Sequence, residues 1–98
     1  MVKKVLITGM SGLIGGLLKD HLTEQGGYDL TALNRSRVDG VRNHQADISD
    51  LDAIAPAFEG QDVVVHLAAY LGAQDWEGQH AGNVLGTYNV FEAARRAQ

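Results

Sequence analysis

Gly9, Gly12 and Gly15 recur every third residue within KVLITGMSGLIG, residues 4–15, with Thr8 in front of them and Ser11 between them. An apolar run, Val5-Leu6-Ile7, ends at Thr8-Gly9, and a second apolar series starts within the glycines, so the pattern marks a strand running straight into a helix. Residues without Cβ at such a junction let the backbone turn tightly. They also let an anion reach the first N–H groups of the helix, where the positive end of its dipole lies. The chemistry on offer is capture of a pyrophosphate, with Ser11 as a phosphate-side hydroxyl. The bland alternative is an ordinary glycine-rich turn. A P-loop does not fit, because no Gly-Lys-Ser or Gly-Lys-Thr follows. Gly9-Met10-Ser11-Gly12 is not a nucleophile elbow either.

A second group stands about twenty residues beyond the glycines, where an acidic residue would grip the ribose 2′-hydroxyl of NAD. This chain has Asn34-Arg35-Ser36-Arg37 there. An amide followed by guanidinium groups accepts a 2′-phosphate through charge-assisted bonds, so NADP is preferred over NAD. A solvated basic loop is the competing reading. The histidines at 21, 44, 66 and 80 have neither the spacing nor the cysteine company of a metal site, and each reads as surface or packing. No residue of the chain is assigned a catalytic role.

The elements that must position these groups follow from periodicity. Leu13, Ile14, Leu17, Leu18 and Leu22 recur at helical intervals, predicting a helix from Gly12 to Gln25 that closes at Gly26-Gly27. Tyr28 to Leu33 reads as a second strand and Val41 to Asp47 as a weaker third. Ser49-Asp50-Leu51-Asp52 offers a hydroxyl or carboxylate cap for a helix to about Phe58, kinked or shortened by Pro56. Gly60 ends that segment, and Asp62 to Leu67 is a fourth strand with the β-branched run of a doubly buried one. Ala68-Ala69 are small enough for a ligand to cross the sheet edge, or for tight packing. Tyr70 to His80, with Gln74, Asp75, Trp76, Glu77 and His80, reads as a polar substrate-side loop in which Trp76 is equally a packing anchor. Asn83 to Ala97 resumes helical spacing through Val84, Tyr88, Phe91 and Ala94, and Arg95-Arg96 complement its dipole.

Ninety-eight residues allow at most one domain, and 45% hydrophobic content supports a modest core. A net charge of -4 without a dense basic stripe argues against nucleic acid. The absence of cysteine excludes disulfides and thiolate chemistry and suits a reducing cytoplasm. Lys3-Lys4 ahead of an apolar stretch imitates a signal peptide, but glycines interrupt the stretch from Gly9 to Gly16. No segment is long and apolar enough to cross a membrane.

With these residues placed, the chain resembles the N-terminal part of the extended short-chain dehydrogenase/reductase family, the NAD(P)-dependent sugar epimerases and dehydratases. The resemblance rests on Thr8-Gly9-x-x-Gly12-x-x-Gly15, Asp47-Ile48, His66-Leu67-Ala68-Ala69 and Asn83-Val84-x-Gly86-Thr87-x-Asn89, in that order. It implies an α/β Rossmann-type doubly wound parallel sheet, strand order 3-2-1-4. Gly9, Gly12, Leu13, Ile14 and Gly15 would wrap the pyrophosphate, and Asn34 with Arg35 would sit at the adenosine ribose. Asp47 and Ile48 would border the adenine. Leu67, Ala68, Ala69 and Tyr70 would pass behind the nicotinamide half, and Asn83 would approach the cofactor unless it caps its helix.

The family's chemistry resembles hydride transfer assisted by a tyrosine, a lysine four residues later and a nearby serine. Tyr28, Tyr70 and Tyr88 are followed at that spacing by Ala32, Gln74 and Glu92, so no Tyr-x-x-x-Lys exists. The expectation is therefore a cofactor-binding portion, residues 1–98, of a larger oxidoreductase with a sugar as substrate. A dinucleotide-sensing module without catalysis is the alternative. A third reading is a piece that binds little and associates through the side of strand four left without a neighbour, and a homo-oligomer is expected.

Overall fold

The computed structural model describes residues 2–71 and 75–98. The apolar run after Lys3 forms β1, Lys3–Thr8, the most buried strand of the molecule. Chain direction then reverses through α1, Leu13–Gln25, to β2, Tyr28–Asn34, and on to β3, Arg42–Gln45. Next come the short helix α2, Leu51–Ile54, a 3₁₀ turn at Ala55–Phe58, and β4, Val63–His66. The strands form a parallel sheet in the order β3-β2-β1-β4. This is the doubly wound arrangement expected of the sequence. The C-terminal third is helical: α3, Trp76–Gln79, a π-helical turn, His80–Leu85, and α4, Gly86–Arg96.

Alternation along the central strands feeds two cores. Val5, Ile7, Leu30 and Ala32 face α1 and receive Leu18 and Leu22, while Leu6 and Leu33 face the other way onto Ile54, Phe58, Val90 and Ala93. Burial on both faces is what a central parallel strand requires, and it explains the unbroken apolar character of β1.

Two helices present a different face to the sheet from the one their largest residues suggest. In α1, Leu13, Ile14 and Leu17 are exposed, at 81%, 66% and 62%. The face on the sheet is Gly15, Leu18 and Leu22, an i, i+3, i+7 series whose first member is a glycine. In α4 and the π-helical turn before it, Val84, Tyr88 and Phe91 point outward, and Gly86, Asn89, Val90 and Ala93 are buried. The reason is the same in both: small residues let the helix axis come close to its neighbour, and the bulky residues beside them are turned away. A Cβ on Gly86 would stand 2.6 Å from Ile48 Cδ1.

The expected element ends shift modestly. β3 is shorter than predicted, although the Ala46 amide still donates to the Asn34 carbonyl at 3.0 Å. β4 is likewise extended by bonds from Asp62 N to Lys4 O and from Leu67 N to Thr8 O. Asp50 caps α2 by accepting from the Ala53 amide, and the helix tightens into 3₁₀ geometry where Pro56 stands. The predicted loop between Tyr70 and His80 is corrected: from Trp76 onward it is helix, started by Asp75, whose carboxylate accepts from Glu77 N. Its polar residues form a solvated helix instead of a loop. Gln74 lies outside the described residues. Trp76 is 70% exposed and tilts against the His80 ring at 5.8 Å, so it is not a core anchor.

Candidate functional site

The C-terminal ends of the parallel strands open into a cleft of about 340 Å³, the position at which open α/β sheets hold ligands. Its edges come from every strand exit. Gly9 and Ser11 follow β1, Asn34 and Arg35 end β2, Asp47 and Ile48 follow β3, and Ala68, Ala69 and Tyr70 follow β4. Gly78, Ala81 and Gly82 of the C-terminal helical run close the remaining side. Of these, Gly78, Ala81 and Gly82 were not singled out from sequence, and no motif there would have revealed them.

The three glycines do three different things. Gly9 has φ +73°, and a Cβ there would lie 2.7 Å from the Ala68 amide nitrogen, so it serves both the turn and the close approach of the β1 and β4 exits. Gly15 is buried, and a Cβ on it would press on the Gly9 carbonyl and lie 2.7 Å from Met10 Cα. Gly12 is the open one, its nearest neighbour for a Cβ being the Gly9 oxygen at 3.4 Å. It precedes α1 with no side-chain cap on the helix. The amides of Leu13, Ile14 and Gly15 have no protein acceptor among the described residues, whereas Gly16 N already donates to Gly12 O at 2.8 Å. A glycine cradle with free helix-terminal amides fits a diphosphate.

Asn34 does not extend its amide oxygen toward a ribose. That oxygen accepts from Gly9 N at 3.0 Å and Met10 N at 3.2 Å, and the residue is 8% exposed. It ties the end of β2 to the glycine turn and lines the cleft only with what remains. Arg35 lines the cleft and its guanidinium has no ion-pair or hydrogen-bond partner among the described residues. Arg37 is drawn to Asp39 at 3.7 Å, away from the cleft. Thus one of the two arginines is available to a ligand.

Asp47 Oδ1 accepts from Ser49 N at 2.9 Å. That bond, reinforced by the Ser49 hydroxyl and the Arg35 charge against partial burial, holds its carboxyl below the usual range. It is an anion at neutral pH, able to accept from a hydroxyl or exocyclic amine. Ile48 is locked by packing against the Leu6–Val90 core, and Asn89 Nδ2 donates to its carbonyl at 2.9 Å.

Asn83 is neither a helix cap nor turned into the cleft. Its Oδ1 accepts from Tyr70 N at 2.7 Å and its Nδ2 donates to Tyr70 O at 3.1 Å, a two-bond grip on one main-chain residue. The Tyr70 ring in turn lies over Gly78 and Gly82, where any side chain would collide with it. Leu67 packs behind the cleft with the Val5–Ile7 core, and Gly12, Leu13, Ile14 and Gly15 lie outside the cleft lining, Leu13 and Ile14 with exposed side chains. No cluster of residues able to hold a metal ion occurs among the described residues.

Residues 5–98 match the NAD dependent epimerase/dehydratase family. The chain belongs to that family. Among relatives of this epimerase/dehydratase-family chain, the L-arabinose 1-dehydrogenase (NAD(P)(+)) of Haloferax volcanii is 36% identical over 95 residues, 96% of this chain and 37% of that protein. The 2-alkyl-3-oxoalkanoate reductase of Stenotrophomonas maltophilia is 38% identical, covering 94% of this chain and 29% of that protein. Among solved structures, WbmG of Bordetella bronchiseptica in complex with NAD superposes with a TM-score of 0.84 at 30% identity, over 99% of this chain and 35% of that one. The family chain described here therefore spans about a third of the length of such relatives.

Proposed function

We propose that this chain forms the dinucleotide-binding portion of an NAD(P)-dependent oxidoreductase acting on a sugar or sugar derivative. The observation that carries the reading is the uncapped start of α1. The amides of Leu13, Ile14 and Gly15 have no protein acceptor among the described residues, and they follow a glycine turn whose Gly9 and Ser11 line a cleft shared by all four strand exits. The names of the relatives support the substrate class, since L-arabinose, uronate and UDP-sugars recur among them.

In this reading the α1 amides hold the diphosphate, Asp47 and Ile48 border the adenine, and Ala68 to Tyr70 support the nicotinamide half. Bound there, the nicotinamide supplies a hydride acceptor or donor. The chain's own residues bind and orient, because the tyrosine-lysine pair that the family resemblance implies for proton transfer is not in the sequence.

Arg35 sets the preference for NADP. With the Asn34 oxygen committed to Gly9 and Met10, the end of β2 offers no carboxylate to a ribose 2′-hydroxyl but does offer the Arg35 guanidinium to a 2′-phosphate. Titration of the chain with NADH and NADPH, followed by nicotinamide fluorescence, tests both parts. Binding of neither refutes the dinucleotide reading. Arg35→Ala should weaken NADPH by about ten- to a hundredfold and leave NADH alone, the size of a lost charge-assisted bond. Equal effects on both refute the NADP preference.

Self-association is part of the proposal, supported by β4 having no outer strand partner among the described residues and by the exposed Tyr88 and Phe91. Light scattering of a purified, folded chain checks it, and a strictly monomeric species would count against it.

A further inference from the structure

The β1 and β4 exits meet at a buried hydroxyl. Thr8 Oγ1 is fully buried and accepts from Leu67 N at 3.0 Å and Ala68 N at 3.1 Å. Those two bonds occupy both lone pairs of a hydroxyl oxygen, so its proton must go elsewhere. The acceptor is His66 Nδ1, 2.7 Å away. An Nδ1 that accepts is unprotonated, which puts the imidazole hydrogen on Nε2, where it faces Thr87 Oγ1 at 3.2 Å. Leu67 N is shared with the Thr8 carbonyl at 3.2 Å, so Ala68 N is the amide that depends on the hydroxyl alone.

We propose that His66 is a positioning residue for the cleft: as the neutral Nε2–H tautomer it takes the Thr8 proton. The Thr8 oxygen is thereby aimed at the amides of Leu67 and Ala68, and the cleft floor at Gly9 and Ala68 is held closed. A proton added at Nδ1 points an N–H at a hydroxyl whose lone pairs are taken, and Thr8 can no longer serve both amides. Half-burial keeps the ring from charging, pushing its pKa below the ordinary histidine value. The groups facing it from β1 and α4, Thr8 and Thr87, are uncharged. In the groove along β4 the ionisable side chain is Asp62, whose carboxylate accepts from Lys4 N at 2.8 Å.

The clamp is independent of what the cleft binds, whereas its effect on affinity rests on the dinucleotide reading. Two measurements on the full chain separate them. Long-range ¹H–¹⁵N NMR of the histidine rings should show His66 as Nε2–H at neutral pH, and an Nδ1–H tautomer overturns the proposal. Protection of the Ala68 amide, taken against its intrinsic exchange rate at each pH, should fall about tenfold as pH falls through the His66 titration, the scale of one lost hydrogen bond, while Leu67 keeps its bond to the Thr8 carbonyl. His66→Asn, whose side-chain oxygen can replace Nδ1 as acceptor, should keep Ala68 protected at low pH. His66→Phe should leave it poorly protected at every pH. Asp62→Asn should shift the midpoint without abolishing the response. Protection of Ala68 that ignores both pH and His66→Phe sinks the clamp. If Ala68 responds while NADPH affinity does not, the link from clamp to cofactor site is overturned and the clamp stands.

Discussion

Gly12 and Gly15 belong to one motif, yet alanine should affect them in opposite ways. A Cβ on Gly15 meets the Gly9 carbonyl and comes within 2.7 Å of Met10 Cα, backbone on both counts, so no side chain can swing aside. Overpacking of that kind costs about 1–3 kcal/mol, and the better helix propensity of alanine returns up to about 1 kcal/mol. The net loss is about 1–2 kcal/mol. With a urea dependence of about 1 kcal/mol/M for a chain of this size, the unfolding midpoint should fall by about 1–2 M. Gly12 sits at φ -78° and ψ 176°, open to any L-residue, and its Cβ meets nothing nearer than 3.4 Å. There the poorer capping of alanine, about 1 kcal/mol, is offset by about 0.4–1 kcal/mol from a stiffer unfolded chain. Stability should therefore hold within about 0.5 kcal/mol. The Gly12→Ala methyl group, however, stands where the diphosphate must approach. Losing one charge-assisted bond there weakens NADPH about ten- to a hundredfold. Urea unfolding by far-UV circular dichroism and a fluorescence titration report the two quantities. If Gly15→Ala unfolds at the native midpoint, or Gly12→Ala binds NADPH like the native chain, the division of labour among the glycines is wrong.

Asn34→Ala should destabilise the chain by about 1–3 kcal/mol by leaving the Gly9 and Met10 amides without an acceptor, while Asn34→Asp, which keeps the acceptor, should lose far less; thermal unfolding distinguishes them. Asn83→Ala should free the Tyr70 amide to exchange about tenfold faster in hydrogen-exchange NMR, with the exchange of β1 unchanged. Glu92 accepts from both Arg95 and Arg96 at 2.8 Å, which pulls its carboxyl down to about 2. Because the folded value is depressed, the pairing is complete above the ordinary glutamate range and is lost as pH falls through about 2. Carboxyl ¹³C shifts should titrate there, and replacing both arginines by alanine should return the midpoint toward the ordinary value.

The sheet was legible because its signals are redundant: β-branched runs, glycine stops and a glycine-rich junction all point to the same parallel order. The helix faces were legible only in part. Leu13, Ile14, Leu17, Leu18 and Leu22, and likewise Val84, Tyr88, Phe91 and Ala94, form apolar stripes by spacing; Leu18, Leu22 and Ala94 pack against the cores, and the structure turns the others outward. Periodicity weighs a residue by its hydrophobicity, so glycine and alanine count as gaps. In α1 and α4, Gly15, Gly86 and Ala93 are the contact itself. Gly9, Ser11, Asn34, Arg35, Asp47, Ile48, Ala68, Ala69 and Tyr70 line the cleft, whereas Gly12, Leu13, Ile14, Gly15, Leu67 and Asn83 do not, and the direction of the side chains was hidden in the sequence. Asn34 and Asn83 stand next to it, but whether an amide points at a ligand or at a neighbouring loop depends on residues 25 and 13 positions away.

Those asparagines share a task that explains how loops can hold a site still. The exits of parallel strands have no ladder to continue, so their backbone groups need other partners. The glycine turn is tied by Asn34 at the end of β2, Tyr70 by Asn83 in the π-helical turn, and the Ile48 carbonyl by Asn89 in α4. Leu67 and Ala68 are tied by Thr8. An amide suits this work because it both donates and accepts without charge, so burying it does not carry the desolvation cost of a carboxylate. Two of the three are buried, Asn34 at 8% and Asn89 at 3% exposure, and each reaches an element distant in sequence. The cleft is therefore shaped before any ligand arrives, and among the described residues the amides at the start of α1 and the Arg35 guanidinium are left for a partner.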